Sequence, residues 1–258
     1  NPATGTENPM YFNYDHLEFR YEPFPIGLAK PLIEPGLYRE FLASYPEQDW
    51  FVYMEKLGHK YSLSEHFNPK IFHRFLKTSP LWNDFNRWIK SRDFVRGVLE
   101  ALAERNLDVG YNADTTILRQ LRKRLTHGGR LSCSNARLIS RFEFSMLPAD
   151  GGNILPHTDS PNKIITLVVS MVDEGEWDPA FGGGTDLNQA KDVHHNFNQT
   201  NTQGRFEDMD LVDTFEFTPN QAVIFVRTFN SWHSVRPMTG KGSPAMRKTL
   251  TINIEAFA

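Results

Sequence analysis

The feature that most constrains the fold is a change of hydrophobic period near Ala136. From there on, β-branched and aromatic runs alternate with short stretches rich in Pro, Gly, Asn and Asp. Such runs at this spacing are typical of an antiparallel sandwich or barrel. The sequence therefore predicts an all-β C-terminal half. The runs are ARLISRFEFSMLP, NKIITLVVSMV, LVDTFEFTP, QAVIFVRTF and MRKTLTINIEAF.

The N-terminal half has a different, mainly helical pattern. FPIGLAKPLI indicates one strand, and EPGLYREFLASYP indicates a helix that Pro46 ends. Helical spacing also marks NPKIFHRFLKTS, SPLWNDFNRWIKS and RDFVRGVLEALAERN, of which the first two carry Pro in the first turn. The stretch 107–135 is ambiguous, although Leu118, Leu121 and Leu125 suit one face of a helix.

These patterns predict one integrated domain. Residues 11–135 would form an N-terminal strand and helical support region, and residues 136–258 the β core. Residues 1–10 lack periodicity and are rich in Pro, Gly, Thr and Asn, so we expect a tail or a cloning remnant outside the fold. The fold class expected is α+β dominated by β.

Composition narrows the class of protein. A chain of 258 residues with 40% hydrophobic content can bury a sizeable core. A net charge of −3 gives no basic field for nucleic acid, and no apolar run approaches the roughly 18 residues that span a bilayer. The lone Cys133 excludes an internal disulfide or a cysteine-rich metal site. We therefore expect a soluble, cytoplasmic protein of unspecified oligomeric state.

A candidate metal site begins in the stretch ILPHTDSP, residues 154–161. His157 and Asp159 are alternate residues at a strand end, so their side chains share a face. A His-x-Asp arises by chance in about half of chains with nine histidines, so the pair needs a third ligand. His233, in FNSWHSVRP, is the candidate. Two imidazoles and a carboxylate suit a non-haem Fe(II) oxygenase, and a three-ligand site with an open position also fits catalytic zinc.

A second feature lies in MRKTLTINIE, where Arg247 and Thr249 share one face of an apolar strand. An arginine pointing inward needs an anionic partner, because burying an unpaired guanidinium is costly. The partner is either an internal glutamate or the carboxylate of a small molecule held by the arginine fork and the threonine hydroxyl.

Several motifs in order resemble the Fe(II) and 2-oxoglutarate dependent oxygenases, in the branch similar to prolyl hydroxylases. The resemblance runs from about Arg137 to Phe257, roughly half of the chain. Its motifs are PADGGNILPHTDSP, KIITLVVSMVDE, FGGGTDL, FTPNQAVIFVRTFNSWHSVRPM and RKTLTINI.

The resemblance implies a double-stranded β-helix, or jelly roll, with Fe(II) as the metal and with 2-oxoglutarate and O2 as cosubstrates. His157, Asp159 and His233 match the metal ligands, which are also the catalytic centre. Arg247 and Thr249 match the pair that grips the distal carboxylate of 2-oxoglutarate. The implied reaction is hydroxylation with release of succinate and CO2. The presence of Asp159 favours hydroxylation over halogenation, because halogenating relatives generally lack this carboxylate.

The chain departs from the family pattern on the strand before the His-x-Asp. Many relatives carry a tyrosine there that contacts 2-oxoglutarate, whereas this chain has Phe144, Met146 and Leu147. Collagen-type enzymes also generally use lysine where this chain has Arg247. Arg236 is a second candidate for the cosubstrate, and Arg141 and Thr166 are candidates to face the cavity.

Other functions and the substrate stay open at this point. A cupin-type jelly roll with Zn or Mn, acting as an isomerase or hydrolase, and a non-catalytic binding module are the alternatives. A free amino acid, a sugar and a residue on a protein are all compatible as substrates. We expect the polar insert 188–210 and the region Trp50 to His73 to form the walls of the substrate entrance. The pair His194 and His195 in that insert is expected to be exposed rather than a second metal site.

Overall fold

The computed structural model describes residues 10–126 and 136–257, and it carries no side-chain description for Arg119, Lys123, Arg124 and Thr126. Cys133 and the stretch ahead of Met10 lie outside the described residues. The strands are β1 (Glu18–Arg20), β2 (Ile26–Ala29), β3 (Val52–Met54), β4 (Lys60–Ser64), β5 (Arg137–Pro148), β6 (Ile154–His157), β7 (Lys163–Ser170), β8 (Thr185–Ala190), β9 (Met209–Phe215), β10 (Ala222–Val226), β11 (His233–Val235) and β12 (Met246–Phe257). The α-helices are α1 (Pro35–Ala43), α2 (Pro69–Thr78), α3 (Pro80–Ile89), α4 (Arg92–Ala103) and α5 (Ile117–Thr126).

The strands form two antiparallel sheets. The larger sheet has eight strands in the order β1-β2-β10-β7-β12-β5-β4-β3, and the smaller has four in the order β6-β11-β8-β9. Residues from both sheets line one cavity, so the sheets face each other across it. The protein is therefore dominated by β-structure, as the sequence predicted, and every long C-terminal run that was predicted to be a strand is one.

Strand β12 contributes one face to the hydrophobic core and the other face to the cavity. Leu250, Ile252 and Ile254 are fully buried in the main hydrophobic core. The alternate residues, from Arg247 to Phe257, line the cavity. This division follows from the period of two in a strand, which sends successive side chains to opposite faces.

The outer face of the large sheet is covered by helices and aromatic side chains. The core there joins residues of α1 to α4 with the apolar faces of β5, β7 and β12. Trp82 of α3 packs edge-on against Phe144 of β5 at 4.7 Å between ring centroids. The high aromatic content is thus largely accounted for by packing between helices and sheet. Within the described residues, no helix combines the length and apolar character that crossing a membrane requires.

The structure corrects the sequence-based assignment at several short strands. The N-terminal half contains four strands rather than one, and all four join the large sheet. The stretch Thr185–Ala190 forms β8, so the connecting loop covers residues 191–208 and not the whole of 188–210. These strands are short or polar, and their strand character comes from pairing with neighbours.

Helix α5 confirms a helix in the ambiguous stretch, but its apolar face is not covered by the described residues. Leu118 is 79% exposed, Leu121 50% and Leu125 87%. Gln120 of α5 donates from Nε2 to the carbonyl oxygen of Phe257, which places the helix beside the end of β12. Helical spacing predicts which residues share a face, and it does not predict what packs against that face.

Candidate metal and cosubstrate site

The three predicted ligands come together at one end of the small sheet. His157 ends β6 and His233 begins β11, and the two residues are direct partners in the antiparallel pairing of these strands. Their ring centroids are 4.3 Å apart. Asp159 follows two residues after His157, and one potential ligand atom from each of the three side chains lies within 4.8 Å of the others.

A tight turn delivers β6 to this position. Gly151 adopts a positive φ of 78°, a conformation that side chains rarely tolerate. At Gly152, an added Cβ would lie 2.4 Å from the carbonyl oxygen of Pro148. The Gly-Gly pair of the PADGG stretch is therefore required for the close return of the chain after β5.

Both imidazoles are oriented for metal binding through Nε2. The Nδ1 atom of His157 lies 2.9 Å from the carbonyl oxygen of Leu155, and that of His233 lies 3.0 Å from the carbonyl oxygen of Ser231. A carbonyl only accepts hydrogen bonds, so Nδ1 carries the proton in each ring and Nε2 presents its lone pair. Burial lowers the pKa of His157 to about 4 and also lowers the pKa of His233, which keeps both rings neutral near pH 7.

Asp159 is the anionic member of the triad. Its Oδ2 accepts a hydrogen bond of 2.7 Å from the Thr166 hydroxyl, and Lys163 Nζ lies 3.4 Å from Oδ1. Burial favours a raised pKa for Asp159, but the charge of Lys163, the two histidines and the Thr166 hydrogen bond together lower its pKa below the usual range. Asp159 is therefore ionised and fixed in orientation.

This donor set fits a divalent transition metal. Two neutral imidazoles and one carboxylate on one face leave further coordination positions free, which matches the facial triad of non-haem Fe(II) sites. The same three ligands also satisfy the requirements of catalytic zinc. Among the described residues, this is the one cluster of three or more His, Cys, Asp or Glu side chains with metal-ligand spacing.

Arg247 and Thr249 lie where the sequence placed them, on the cavity face of β12. Arg247 is 3% exposed, its Nε donates to the carbonyl oxygen of Gly183, and its guanidinium carbon lies 4.7 Å from the ring centroid of Phe217. Burial lowers its pKa to about 10, so the side chain remains cationic at neutral pH. None of the described carboxylates forms an ion pair with it.

Arg236, the second candidate for binding the cosubstrate, forms an ion pair with Asp186 instead. Its Nε donates to Asp186 Oδ2 at 2.9 Å and its Nη2 to Asp186 Oδ1 at 3.2 Å. It does not line the large cavity. Arg236 already has a carboxylate partner, whereas Arg247 has none among the described residues, so of these two arginines Arg247 is the one free to bind a small-molecule carboxylate.

The cavity that joins these groups has a volume of about 680 Å³. Both predicted walls contribute to it, through residues between Lys56 and Phe67 and through Asn201 and Gln203 of the 191–208 loop. Thr166 and Arg141 also line it, as expected. No tyrosine is among the described residues that line it, and the cavity-facing polar residue of β5 beside Thr249 is Ser145.

The 191–208 loop is attached directly beside the triad. Thr158 Oγ1 donates to the carbonyl oxygen of Asn198 at 3.1 Å, and Gly204 N donates to that of Pro156 at 2.8 Å. Arg227 connects both parts, with Nε donating to the Asp159 carbonyl at 3.1 Å and Nη2 to the Asn198 carbonyl at 3.3 Å. Sequence reasoning did not identify Arg227, although a basic residue directly after the apolar strand β10 was a usable signal.

The paired histidines of this loop behave as expected. His194 and His195 lie in an exposed 3₁₀ turn, and His195 Nδ1 is 3.4 Å from Asp192 Oδ2. They form no three-residue cluster with other potential ligands of the described part of the chain.

Comparison with known proteins gives distant structural neighbours only. No protein-family model and no curated protein sequence matches the chain. A prolyl-4-hydroxylase from Pseudomonas putida is 14% identical, with 90% of this chain and 93% of that chain covered at a TM-score of 0.46. A prolyl hydroxylase from Trichoplax adhaerens, in complex with a peptide of the hypoxia inducible factor oxygen degradation domain, is 11% identical, with coverages of 89% and 83% and a TM-score of 0.47.

A non-haem α-ketoglutarate dependent epimerase from nogalamycin biosynthesis is 14% identical, with coverages of 89% and 78% and a TM-score of 0.47. These neighbours are of the kind that the sequence motifs predicted. At such identities and TM-scores, the case for a function rests on the residues of the site.

Proposed function

We propose that this chain is an Fe(II) and 2-oxoglutarate dependent dioxygenase that hydroxylates an unactivated C–H bond and releases succinate and CO2. One observation carries the proposal. A His-Asp-His triad and a buried cationic arginine, which has no carboxylate partner in the described part of the chain, line the same cavity. A metal site alone would not need Arg247, whereas a dicarboxylate cosubstrate that binds the metal at one end needs a cation for the other.

Each side chain then has a defined role. His157 and His233 bind Fe(II) through Nε2, and Asp159 supplies the negative charge while Thr166 fixes its orientation. Arg247 holds the distal carboxylate of 2-oxoglutarate with its guanidinium fork, and Thr249 adds a hydroxyl. When bound, the iron supplies the redox chemistry by which O2 and 2-oxoglutarate oxidise the substrate.

The remaining task of the protein is to keep the reacting groups out of bulk water. The 191–208 loop is attached at Pro156 and Thr158, and its residues Asn201 and Gln203 line the cavity. Arg227 ties this loop to the Asp159 carbonyl. A closed cavity strengthens the charge interactions inside it and limits side reactions.

The proposal extends to the architecture. We infer that the two facing sheets form a double-stranded β-helix, or jelly roll, built mainly from residues 136–258. Residues 11–135 support it with helices and add strands to the edges of the large sheet. Both parts then belong to one catalytic domain.

The test of the proposal is spectroscopic. Anaerobic addition of Fe(II) and 2-oxoglutarate to the purified protein is expected to give a weak visible charge-transfer band. Asp159→Ala should abolish the band, because it removes one of three ligands. Asp192→Ala, on the exposed loop turn, is the matched control and should keep it. The absence of a band in the unaltered protein would refute the assignment.

Metal analysis and product analysis separate this function from the alternatives. A cupin-type isomerase or hydrolase would retain Zn or Mn and would form no succinate. A non-catalytic binding module would show no metal affinity above background in a titration. The dioxygenase should form succinate from 2-oxoglutarate with Fe(II), and Arg247→Ala should abolish that product.

A further inference from the structure

The cavity has a charged wall on the side of β4 and β5. Arg141 and Glu143 are alternate residues of β5, so both face the cavity. Arg141 Nη2 lies 3.0 Å from Glu255 Oε2, and Glu143 Oε1 lies 2.6 Å from Lys60 Nζ. The proposed roles of the triad and of Arg247 use none of these four residues.

Arg141 has more donors than the protein satisfies. A guanidinium carries five N–H donors, and the described residues supply one hydrogen-bond acceptor, Glu255. Its Nε is buried and has no hydrogen-bond partner in the part of the chain that the structure describes, while the side chain as a whole is 35% exposed. Glu143 Oε1 is likewise buried and accepts no hydrogen bond from the described residues, although it forms an ion pair with Lys60 Nζ, and the Glu143 side chain is only 15% exposed. Buried polar groups of this kind normally have partners.

The wall lies beside the triad and away from Arg247. Across the large sheet, Arg141 pairs with Asn253, and Asn253 pairs with Thr166, the residue that bonds Asp159. Two strand spacings place the backbone of Arg141 about 10 Å from that of Thr166. Arg247 pairs with Leu147, six residues along β5 from Arg141, which corresponds to about 20 Å. Arg141 and Arg247 are therefore separate cationic positions of the cavity.

We propose that Arg141 and Glu143 bind the substrate, and that the substrate is a free amino acid in its zwitterionic form. Its carboxylate would bind the unused donors of Arg141, its ammonium group would bind Glu143, and its side chain would point along the Arg141-Asn253-Thr166 row towards the triad. This inference rests on the proposed dioxygenase function. An internal residue of a peptide has neither charge, because both groups are then amides, and it would leave the spare donors of Arg141 and the Glu143 carboxylate without a ligand group to bind.

The first test measures binding directly. Titration calorimetry with the metal- and 2-oxoglutarate-loaded protein under anaerobic conditions is run against the standard L-amino acids. At least one should bind. Its N-acetyl and carboxamide derivatives should each bind at least 30-fold more weakly, because each loses one charge-assisted contact. Equal binding of the derivatives, tighter binding of peptides that contain the residue, or binding of none of the amino acids would overturn the proposal.

The second test uses variants of the wall. Arg141→Gln should weaken binding of that amino acid at least 30-fold, and Arg141→Lys should restore part of the affinity because it keeps the charge. Glu143→Gln should weaken binding of the amino acid but not binding of its N-acetyl derivative. Arg39→Gln, at an exposed position of α1, is the control and should bind as the unaltered protein does.

The charge-transfer band separates this proposal from the one it rests on. All four variants should keep the band of the Fe(II) and 2-oxoglutarate complex, which also shows that they are folded. If Arg141→Gln loses the band and Arg247→Met keeps it, Arg141 is the cosubstrate anchor and the substrate assignment is wrong. If the unaltered protein shows no band, the dioxygenase assignment itself fails.

Discussion

Replacement of Arg247 by methionine should separate the cost of burying its charge from the benefit of binding 2-oxoglutarate. The side chain is 3% exposed, and burial lowers its pKa from 12.5 to about 10. That shift corresponds to a cost of about 3 kcal/mol for keeping the cation inside. The hydrogen bond from Nε to the Gly183 carbonyl and the cation–π contact with Phe217 together stabilise the folded protein by about the same free energy.

The two contributions nearly cancel, so Arg247→Met should change the free energy of unfolding of the ligand-free protein by less than about 1.5 kcal/mol. Methionine keeps most of the buried stem and removes the charge. The response to 2-oxoglutarate should differ sharply. At a ligand concentration of 100 times Kd, the unaltered protein should gain about 2.7 kcal/mol, and the variant should gain almost nothing.

The assay is urea unfolding with Mn(II) as a redox-inert metal, measured with and without 2-oxoglutarate. Arg236→Met is the matched control. Its guanidinium is paired with Asp186, so its loss should destabilise the protein and leave the gain from 2-oxoglutarate unchanged. A variant at Arg247 that loses more than about 4 kcal/mol without ligand and still gains 2.7 kcal/mol with it would refute the reasoning.

Three further predictions concern the metal site. Thr166→Val should weaken Fe(II) binding about 10- to 100-fold in a competitive chelator titration while keeping the fold, because it removes the hydrogen bond that orients Asp159. The pKa of His157 is about 4 in the folded protein and 6.5 when unperturbed, so the unfolded chain binds more protons between these pH values. The free energy of unfolding of the metal-free protein, measured by urea unfolding, should therefore fall as the pH decreases from 6.5 to 4. Arg227→Gln should loosen the 191–208 loop and raise the ratio of succinate formed to substrate hydroxylated, and an unchanged ratio would show that the loop does not depend on this contact.

Much of the candidate site was predictable from sequence because its residues occur in recognisable local patterns. The triad residues flank apolar runs, and Arg247 and Thr249 interrupt one with a period of two. The sequence marked Arg227 only as a basic residue after an apolar strand, and it did not reveal the acceptors, because these are backbone carbonyl oxygens of Asp159 and Asn198. The sequence named Arg141 as a candidate to face the cavity, but it did not identify Glu143 or the ion pairs of the wall, because the face of each residue is fixed only by the strand register. The cavity face of Arg141 depends on the register of β5 against β12.

Strand β8 shows why polarity misled the assignment of the loop. Its stretch TDLNQA has little β-propensity, and most of it is buried. Asp186 accepts hydrogen bonds from Arg236 and Thr214, and Asn188 Nδ2 donates to Ser234 Oγ at 2.7 Å. Asp186 and Asn188 thus each have a partner supplied by a distant segment. Polar groups can be buried at little cost when they have hydrogen-bond partners. Local composition does not show whether a distant segment supplies such partners.

The register between β12 and β5 is the feature on which both binding proposals depend. It runs without interruption over twelve residues, from Met246 opposite Pro148 to Phe257 opposite Arg137. A shift by one residue would turn Arg247 and Thr249 towards the core and bring Leu250 and its apolar neighbours to the cavity. Burial of those apolar residues therefore holds the cationic group of β12 on the cavity side, and the same pairing sets how far Arg247 lies from Arg141. The hydrophobic core on one face of the sheet thereby determines the spacing of the charges on the other.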